Sequence, residues 1–478
     1  MKKKGVILFV VLVWGLILTL TGMGFLYLAH LERENSYKVV YPAEAFWLAE
    51  AGVEHGKAWL DRHLKVYRSP PSYMETFAPF EPQQLGRGEY EVFIVPPMVT
   101  QTHDWKIVSV GTVETYSPGK TITTKKELSL RVKIKSFARY AYFTDFEKSP
   151  GGDTIWFTNN DRAYGPVHTN DTLNIYKDPL FDGYVTSGGK QLNYYHGGPP
   201  TDKPQFKGGY ELGVASIDMS KFINMGKLQE ASVGDDGINV VGKTTVTLSG
   251  NTFSFTEDFT TAKGTTEART WSLNNSGNLL TSTYTDYVKT TGWFGIVSWK
   301  EETKTITKTL TPFFNGVFYA TGDINIASDG KVYKHMTIAT EKNIYINGHI
   351  KYSHSPSNPA AQGLLGLVAE KNIEVTTSAP NNLVIHASLM AFDGSFGVKN
   401  YNSGKARGAL TIWGGIVQKY RGPVGTFNSS TGTYSTGYYK DYHYDYRVTA
   451  VPPPSFPQLE EGPWERLLWE ESPFEVIK

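Results

Sequence analysis

A chain of 478 residues with 47 basic and 46 acidic side chains carries a formal net charge of +1, and three of its positive charges are Lys2, Lys3 and Lys4. That balance provides no basic field for nucleic acid, and the absence of cysteine excludes disulfides, thiolate metal sites and cysteine nucleophiles. Aromatic content of 14%, 47 glycines and only 19% charged residues suit β-structure with many turns, not helical bundles or disorder.

The lysines are followed by Gly5 and then by an uncharged apolar run of 23 residues, Val6 to Leu28. A helix needs about 20 residues to cross a bilayer. A cleavable secretory signal has a shorter apolar core and a small-residue site after it, whereas here the small residue Gly5 precedes the run. A peptidase cutting between Gly5 and Val6 would remove the lysines and leave the helix on the mature chain. An ordinary single-pass anchor reads the same from these residues, and in both cases the lysines face the cytoplasm and the remainder lies outside.

After a polar stretch, His30 to Lys38, the segment Ala43 to Leu64 has helical periodicity, with Phe46, Val53 and Leu60 on one stripe. Ala45, Ala49, Gly52 and Gly56 form a second, small-residue stripe that a neighbouring backbone can approach closely. Pro42 fits a first helical turn or a kink in a longer rod.

The lysine–glycine–apolar start together with AFWLAEAGVEHGKAWL (45–60) resembles the N-terminal segment of PilX-type minor pilins and related type IV pilus or pseudopilus proteins. The resemblance covers residues 1–65. It implies cleavage by prepilin peptidase between Gly5 and Val6. Its implied partners are other pilin-like subunits, inner-membrane assembly proteins and the lipid bilayer. Major pilins carry a glutamate five residues into the mature helix, where this chain has Val10. In that family the carboxylate helps register an incoming subunit, so its absence favours a minor, tip or initiating role.

From Gly88 to Lys135 the pattern turns to alternation in YEVFIV, WKIVSVGTV and LSLRVKI, which predicts an antiparallel meander laid against the helix. GPVHTNDTLNI (165–175) and FDGYVTS (181–187) resemble a large uncharacterised bacterial domain family found behind pilin-like N-termini, which implies no activity. Residues 235–312 are threonine-rich with short alternations and read as an antiparallel β insertion.

Five later segments each pair an apolar strand with a small residue and a second short strand: 317–326, 336–346, 365–375, 383–392 and 410–418. Their small residues, Ala320, Ala339, Ala369, Ala387 and Gly414, recur loosely, as in a β-solenoid of stacked rungs. A twisted meander is the alternative. Pro452 to Pro454 read as a short polyproline stretch crossing the surface, and WERLLWEESPFEVIK reads as a docking helix or disorder.

The expected fold is therefore mainly β, with a long N-terminal transmembrane α-helix, a small pilin-like α+β region and a β-rich body ending in an irregular β-solenoid. The expected divisions are 1–30 (basic stub and membrane helix), 31–66 (helix continuation), 67–136 (antiparallel head), 137–312 (β-rich domain with the insertion), 313–450 (solenoid-like repeats) and 451–478 (proline-rich tail).

Candidate chemistry is sparse. His168, with Asp161 and Asp171 near it in sequence, reads as a structural hydrogen-bonding residue, since no second histidine lies close by. Asp323, Glu341, Glu370, Glu374 and Asp393 are spread over the repeats beside Gly, Lys or Asn, as solvated turn residues are. Nothing pairs them as a glycosidase requires. Tyr442, Tyr444 and Tyr446, with Trp413, are candidates for a glycan- or partner-binding surface, although core and edge packing is the stronger reading of them. No catalytic residue, metal ligand or cofactor is expected.

The leading functional expectation is a non-enzymatic, membrane-anchored pilin-like assembly protein. Behind it stand a surface adhesin or carbohydrate-binding protein and, last, an envelope polysaccharide-degrading enzyme.

Overall fold

In the computed structural model, residues 3–66, 75–97, 104–117, 120–222, 225–249, 252–327, 330–358, 363–459 and 464–477 are described. The N-terminal rod consists of α1 (Lys3–Asn35), one π-helical turn (Ser36–Val40) and α2 (Tyr41–Val66). Pro42 cannot donate to the helical ladder, and the widened turn just before it is where a long helix absorbs such a defect. Within α1, Val6–Arg33 is long and apolar enough to cross a membrane, and none of that span is buried by the chain itself.

The rod's second half behaves differently. Ala45, Ala49, Val53 and Leu60 are fully buried against an antiparallel sheet of β1 (Gln83–Leu85), β2 (Gly88–Val95), β3 (Trp105–Ser117) and β4 (Lys120–Ile134). Val92, Ile94, Ile107, Leu130 and Val132 supply the sheet's half of that core. The small-residue stripe serves this contact. A Cβ on Gly52 would lie 2.1 Å from Ser109 Oγ, and one on Gly111 of β3 would lie 2.1 Å from the Ala45 carbonyl oxygen.

The end of the chain completes this sheet. Trp464–Glu471 and Glu475–Ile477 both pair antiparallel with β4, so the expectation of a helix or disorder there is corrected. A bulge between Arg466 and Leu468 breaks the two-residue period in this segment. The open edge of β4 supplies the partner that local sequence cannot show.

The body is a large, mainly parallel sheet with a second, nine-stranded sheet beside it. Val317–Ala320, Met336–Thr340, Leu365–Ala369, Leu383–Ala391 and Ala406–Tyr420 pair successively in parallel, which an antiparallel meander would not do. The small residues do not form one column, however: Ala387 faces Gly414, but Ala369 faces Thr340 and Ala391. In the neighbouring ladder Ile324, Ile344, Ile373 and Phe396 do align, each at most 2% exposed. One turn position holds the register there. Asp323, Asn343 and Asn372 each accept the backbone N–H of the following repeat, at 3.0, 3.1 and 3.0 Å.

The threonine-rich stretch is antiparallel, running from Thr244–Ser249 through Val297–Thr309. A boundary at 312/313 does not separate two sheets, because Tyr142–Phe146 pairs with Ala406–Tyr420 and Arg162–Tyr164 pairs with Tyr434–Tyr444. Pro453 and Pro454 are buried, the Pro454 carbonyl accepting the Thr337 hydroxyl at 2.5 Å, so this stretch lines the core instead of crossing the surface.

Gly111→Val should destabilise the head by about 1–3 kcal/mol through overpacking. Denaturant titration of the detergent-solubilised chain checks it; an unchanged midpoint would mean that α2 does not lie on β3 at this point.

Candidate functional site

The residues singled out from the sequence are divided among the rod, a cleft at the edge of the body, the body core and the repeats. Gly5 and Val6 lie in the first turns of α1, and Val6 and Val10 are exposed. With carbonyl and amide groups satisfied inside the helix, the apolar side chains of α1 are free to face lipid or other helices.

The tyrosines do not form one surface. Tyr442 is buried and stacks over Tyr142, with ring centroids 6.5 Å apart. Tyr444 is also buried, and its ring meets that of Tyr446 edge-on at 4.9 Å. Trp413 instead stacks on His443 at 4.5 Å, and His443 stacks on Tyr164 at 4.7 Å. Because neighbouring strand residues face opposite ways, this second ladder runs on the other side of the strand from Tyr442 and Tyr444. The four residues are thus divided between two sides of the strand and are not gathered on one face.

Tyr444 and Tyr446 do meet at a cleft of about 350 Å³, which Tyr140, Tyr184, Lys133 and Arg139 also line. Arg139 Nη1 lies 2.8 Å from Glu465 Oε2, and Glu465 is in turn the cross-strand neighbour of Lys133. Burial, then the charge of Arg139, holds the Lys133 ammonium below its usual range. No sequence signal joined these residues, since Tyr184 reaches the cleft, and Glu465 reaches Arg139 beside it, only through long-range pairing.

His168 is buried, with Nδ1 at 2.8 Å from Thr186 Oγ1 and Nε2 at 2.9 Å from Asn170 Oδ1. Burial lowers its pKa, which suits a neutral hydrogen-bonding ring. The repeat carboxylates are engaged locally: Asp393 pairs with Lys419 and Lys371, and Glu374 lies 3.9 Å from Lys399. Among the described residues, no three His, Asp or Glu side chains converge as a metal site requires.

Sequence reasoning missed a buried charge network that ties the first body strands to the last. Arg421 Nη1 reaches Glu147 Oε2 at 2.5 Å and the Ile155 carbonyl at 2.9 Å, its guanidinium 3.8 Å from the Phe157 ring centre. Lys440 Nζ lies 2.7 Å from Asp161 Oδ2, and the Tyr434 hydroxyl donates to Asp161 Oδ1 at 2.6 Å. Burial alone would raise the Asp161 carboxyl, but the Lys440 ammonium, the Tyr434 hydroxyl and the Thr158 N–H outweigh it and hold it below the ordinary range. These groups are enclosed by aromatic rings and backbone, an arrangement that fastens strands together.

Residues 101–189 match a domain of unknown function, DUF4900. Among solved structures, the competence-associated pilin ComZ from Thermus thermophilus aligns at 12% identity with a TM-score of 0.34, covering 91% of this chain and 98% of that one. No curated protein matches the chain in sequence.

Asp161→Asn should cost about 3–5 kcal/mol at neutral pH by leaving Lys440 buried without its counter-charge. The sign with pH follows from the depressed carboxyl. Its stabilisation is complete above about pH 4 and is lost as pH falls through the lower folded value, so the variant's stability should fall less steeply in acid. Unfolding midpoints of both chains between neutral and acid pH measure this.

Proposed function

We propose that the chain is a membrane-anchored, pilin-like structural subunit: a minor pilin or pseudopilin-like component of a type IV pilus or type II secretion-like system. The observation that carries the reading is the division of one helical rod into an apolar half with no partner in its own chain and a second half seated on a small antiparallel sheet. An anchor needs only the first half. A subunit that passes from bilayer to filament uses both, because the seated half fixes the direction in which the free half leaves the head.

In this reading prepilin peptidase cuts between Gly5 and Val6, the lysines stay in the cytoplasm, and the body lies outside the cytoplasmic membrane. The partners are other pilin-like subunits and inner-membrane assembly proteins. Val10, apolar where a registering carboxylate would sit, and the large body both favour a tip or initiating position. The parallel repeats are read as rungs of an irregular β-solenoid, a stiff extension of the head. The role is mechanical, not catalytic.

Co-expression with an active prepilin peptidase should yield a chain beginning at Val6, and Gly5→Ile should keep Met1 to Lys4. Mass mapping of the N-terminal peptide decides between them; an intact N-terminus in the unsubstituted chain overturns the processed-subunit reading.

The cleft favours a second reading, a surface adhesin or carbohydrate-binding protein, since Tyr184 and Tyr446 present half-exposed ring faces beside two cations. If sugars stack there, Tyr184→Ala with Tyr446→Ala should weaken glycan-array binding by the full chain about tenfold. Binding that ignores both changes would exclude the cleft.

A further inference from the structure

The long hairpin formed by Leu279–Thr291 and Val297–Thr309 ends in the loop Gly292–Ile296, and its tip is the most apolar exposed point of the body. Trp293 is 89% and Phe294 92% exposed, and Ile296, Val297 and Trp299 are exposed beside them. A lone exposed apolar side chain needs no explanation, but five within seven residues form a patch of the kind that marks an interaction site.

The hairpin projects beyond its sheet. Its pairing with the preceding strand covers only Trp271–Leu273 against Leu280–Ser282, so the outer part continues as two strands. The turn is closed by the Gly292 N–H to the Ile296 carbonyl at 2.9 Å and the Gly295 N–H to the Gly292 carbonyl at 3.2 Å. Phe294 takes a φ of 72°, left-handed backbone that a bulky aromatic residue rarely adopts. Strain of this kind persists at sites that use it, and here it holds an aromatic ring outward in water.

Charge placement identifies the occupant. From Thr290 to Trp299 no residue is charged, and the residues bounding this stretch are Lys289, opposite Trp299, and Lys300, opposite Val288. The acidic residues Glu301, Glu302 and Asp286 lie farther from the tip, Asp286 held by Lys304 at 2.7 Å. At about 3.3 Å per residue the lysines sit roughly 10 Å above the turn, which matches the 5–10 Å or so to which interfacial segments bury their apolar groups. An uncharged aromatic and aliphatic point beneath a collar of two lysines is complementary to acyl chains beneath anionic headgroups.

We propose that this hairpin tip inserts into the interface of an anionic lipid bilayer, with Trp293, Phe294 and Ile296 among the acyl chains and Lys289 and Lys300 at the headgroups. Since the chain has no cysteine, Thr291→Cys gives the full-length protein a single attachment point for the fluorophore NBD without removing an apolar residue. The labelled protein is reconstituted in nanodiscs of equimolar phosphatidylglycerol and phosphatidylcholine, and vesicles of the same lipids are added. The NBD emission should shift to the blue, and doxyl-labelled lipid in the vesicle or in the nanodisc should quench it.

Trp293→Ser, Phe294→Ser and Ile296→Ser together should weaken vesicle association about tenfold or more. These positions are solvent-exposed, so circular dichroism should remain unchanged. Lys289→Gln with Lys300→Gln should abolish the preference for phosphatidylglycerol over phosphatidylcholine alone. The proposal is overturned if NBD stays in water with both membranes, if the triple variant associates as well as the parent, or if NBD is shielded without quenching by lipid, which would assign the tip to a protein contact.

Discussion

Twenty-eight residues of apolar helix, Val6–Arg33, have no surface of their own chain to lie against. Water disfavours so long an exposed apolar helix, and the second half of the rod is seated on the head in a way that aims it. The rod remains continuous through the π-turn at Ser36–Val40, and α2 is fixed to the head where glycines let helix and sheet approach. Without the seam at Gly52 and Gly111, α1 would be an anchor on a tether. With it, the direction of the helix is a property of the head.

The head is in turn tied to the body at both ends of the chain. The last strands return to pair with β4, and Trp105 of β3 donates its indole N–H to the Ala450 carbonyl at 3.1 Å. Inside the body, the first strands pair with the last, and the Arg421–Glu147 and Lys440–Asp161 pairs lie along that junction. A buried ion pair is a poor source of net stability, but a mispaired strand would leave its charges buried and alone. These contacts therefore specify which strands meet. The head thus meets the body through the returning closing strands as well as through the chain that leaves β4.

The local periods made α2, the meander and the antiparallel threonine-rich stretch legible in the sequence, because each buries one face at its own regular spacing. The repeats were legible as repeats, but their register was not. Small residues looked like the alignment mark, whereas the mark is Asp323, Asn343 and Asn372, whose side chains reach the next repeat's backbone. Long-range pairing hid the rest. Nothing within WERLLWEE reveals that β4 has an open edge more than 300 residues earlier, and nothing in YYKDYHYDY shows that alternate residues divide between the core and an outer stack with Trp413. The tyrosine cleft is similarly a product of topology, since Tyr140, Tyr184 and the Tyr444–Tyr446 pair come from three separate passes of the chain.

Two exposed apolar surfaces remain, and backbone chemistry gives them different limits. In α1 every interior N–H and C=O is paired along the helix, so the segment can sit at any depth in hydrocarbon. The hairpin's outward-facing backbone groups have no partner across a sheet edge, and edges of that kind are not tolerated in the hydrocarbon region. The turn closes its own hydrogen bonds, between Gly292 and Ile296. The first charged residues, Lys289 and Lys300, stand where unpaired strand edges begin to accumulate. Hydrogen bonding and charge therefore set the same boundary: a tip of this construction can dip into an interface but cannot cross it, while α1 can cross and, in the pilin-like reading, later be withdrawn.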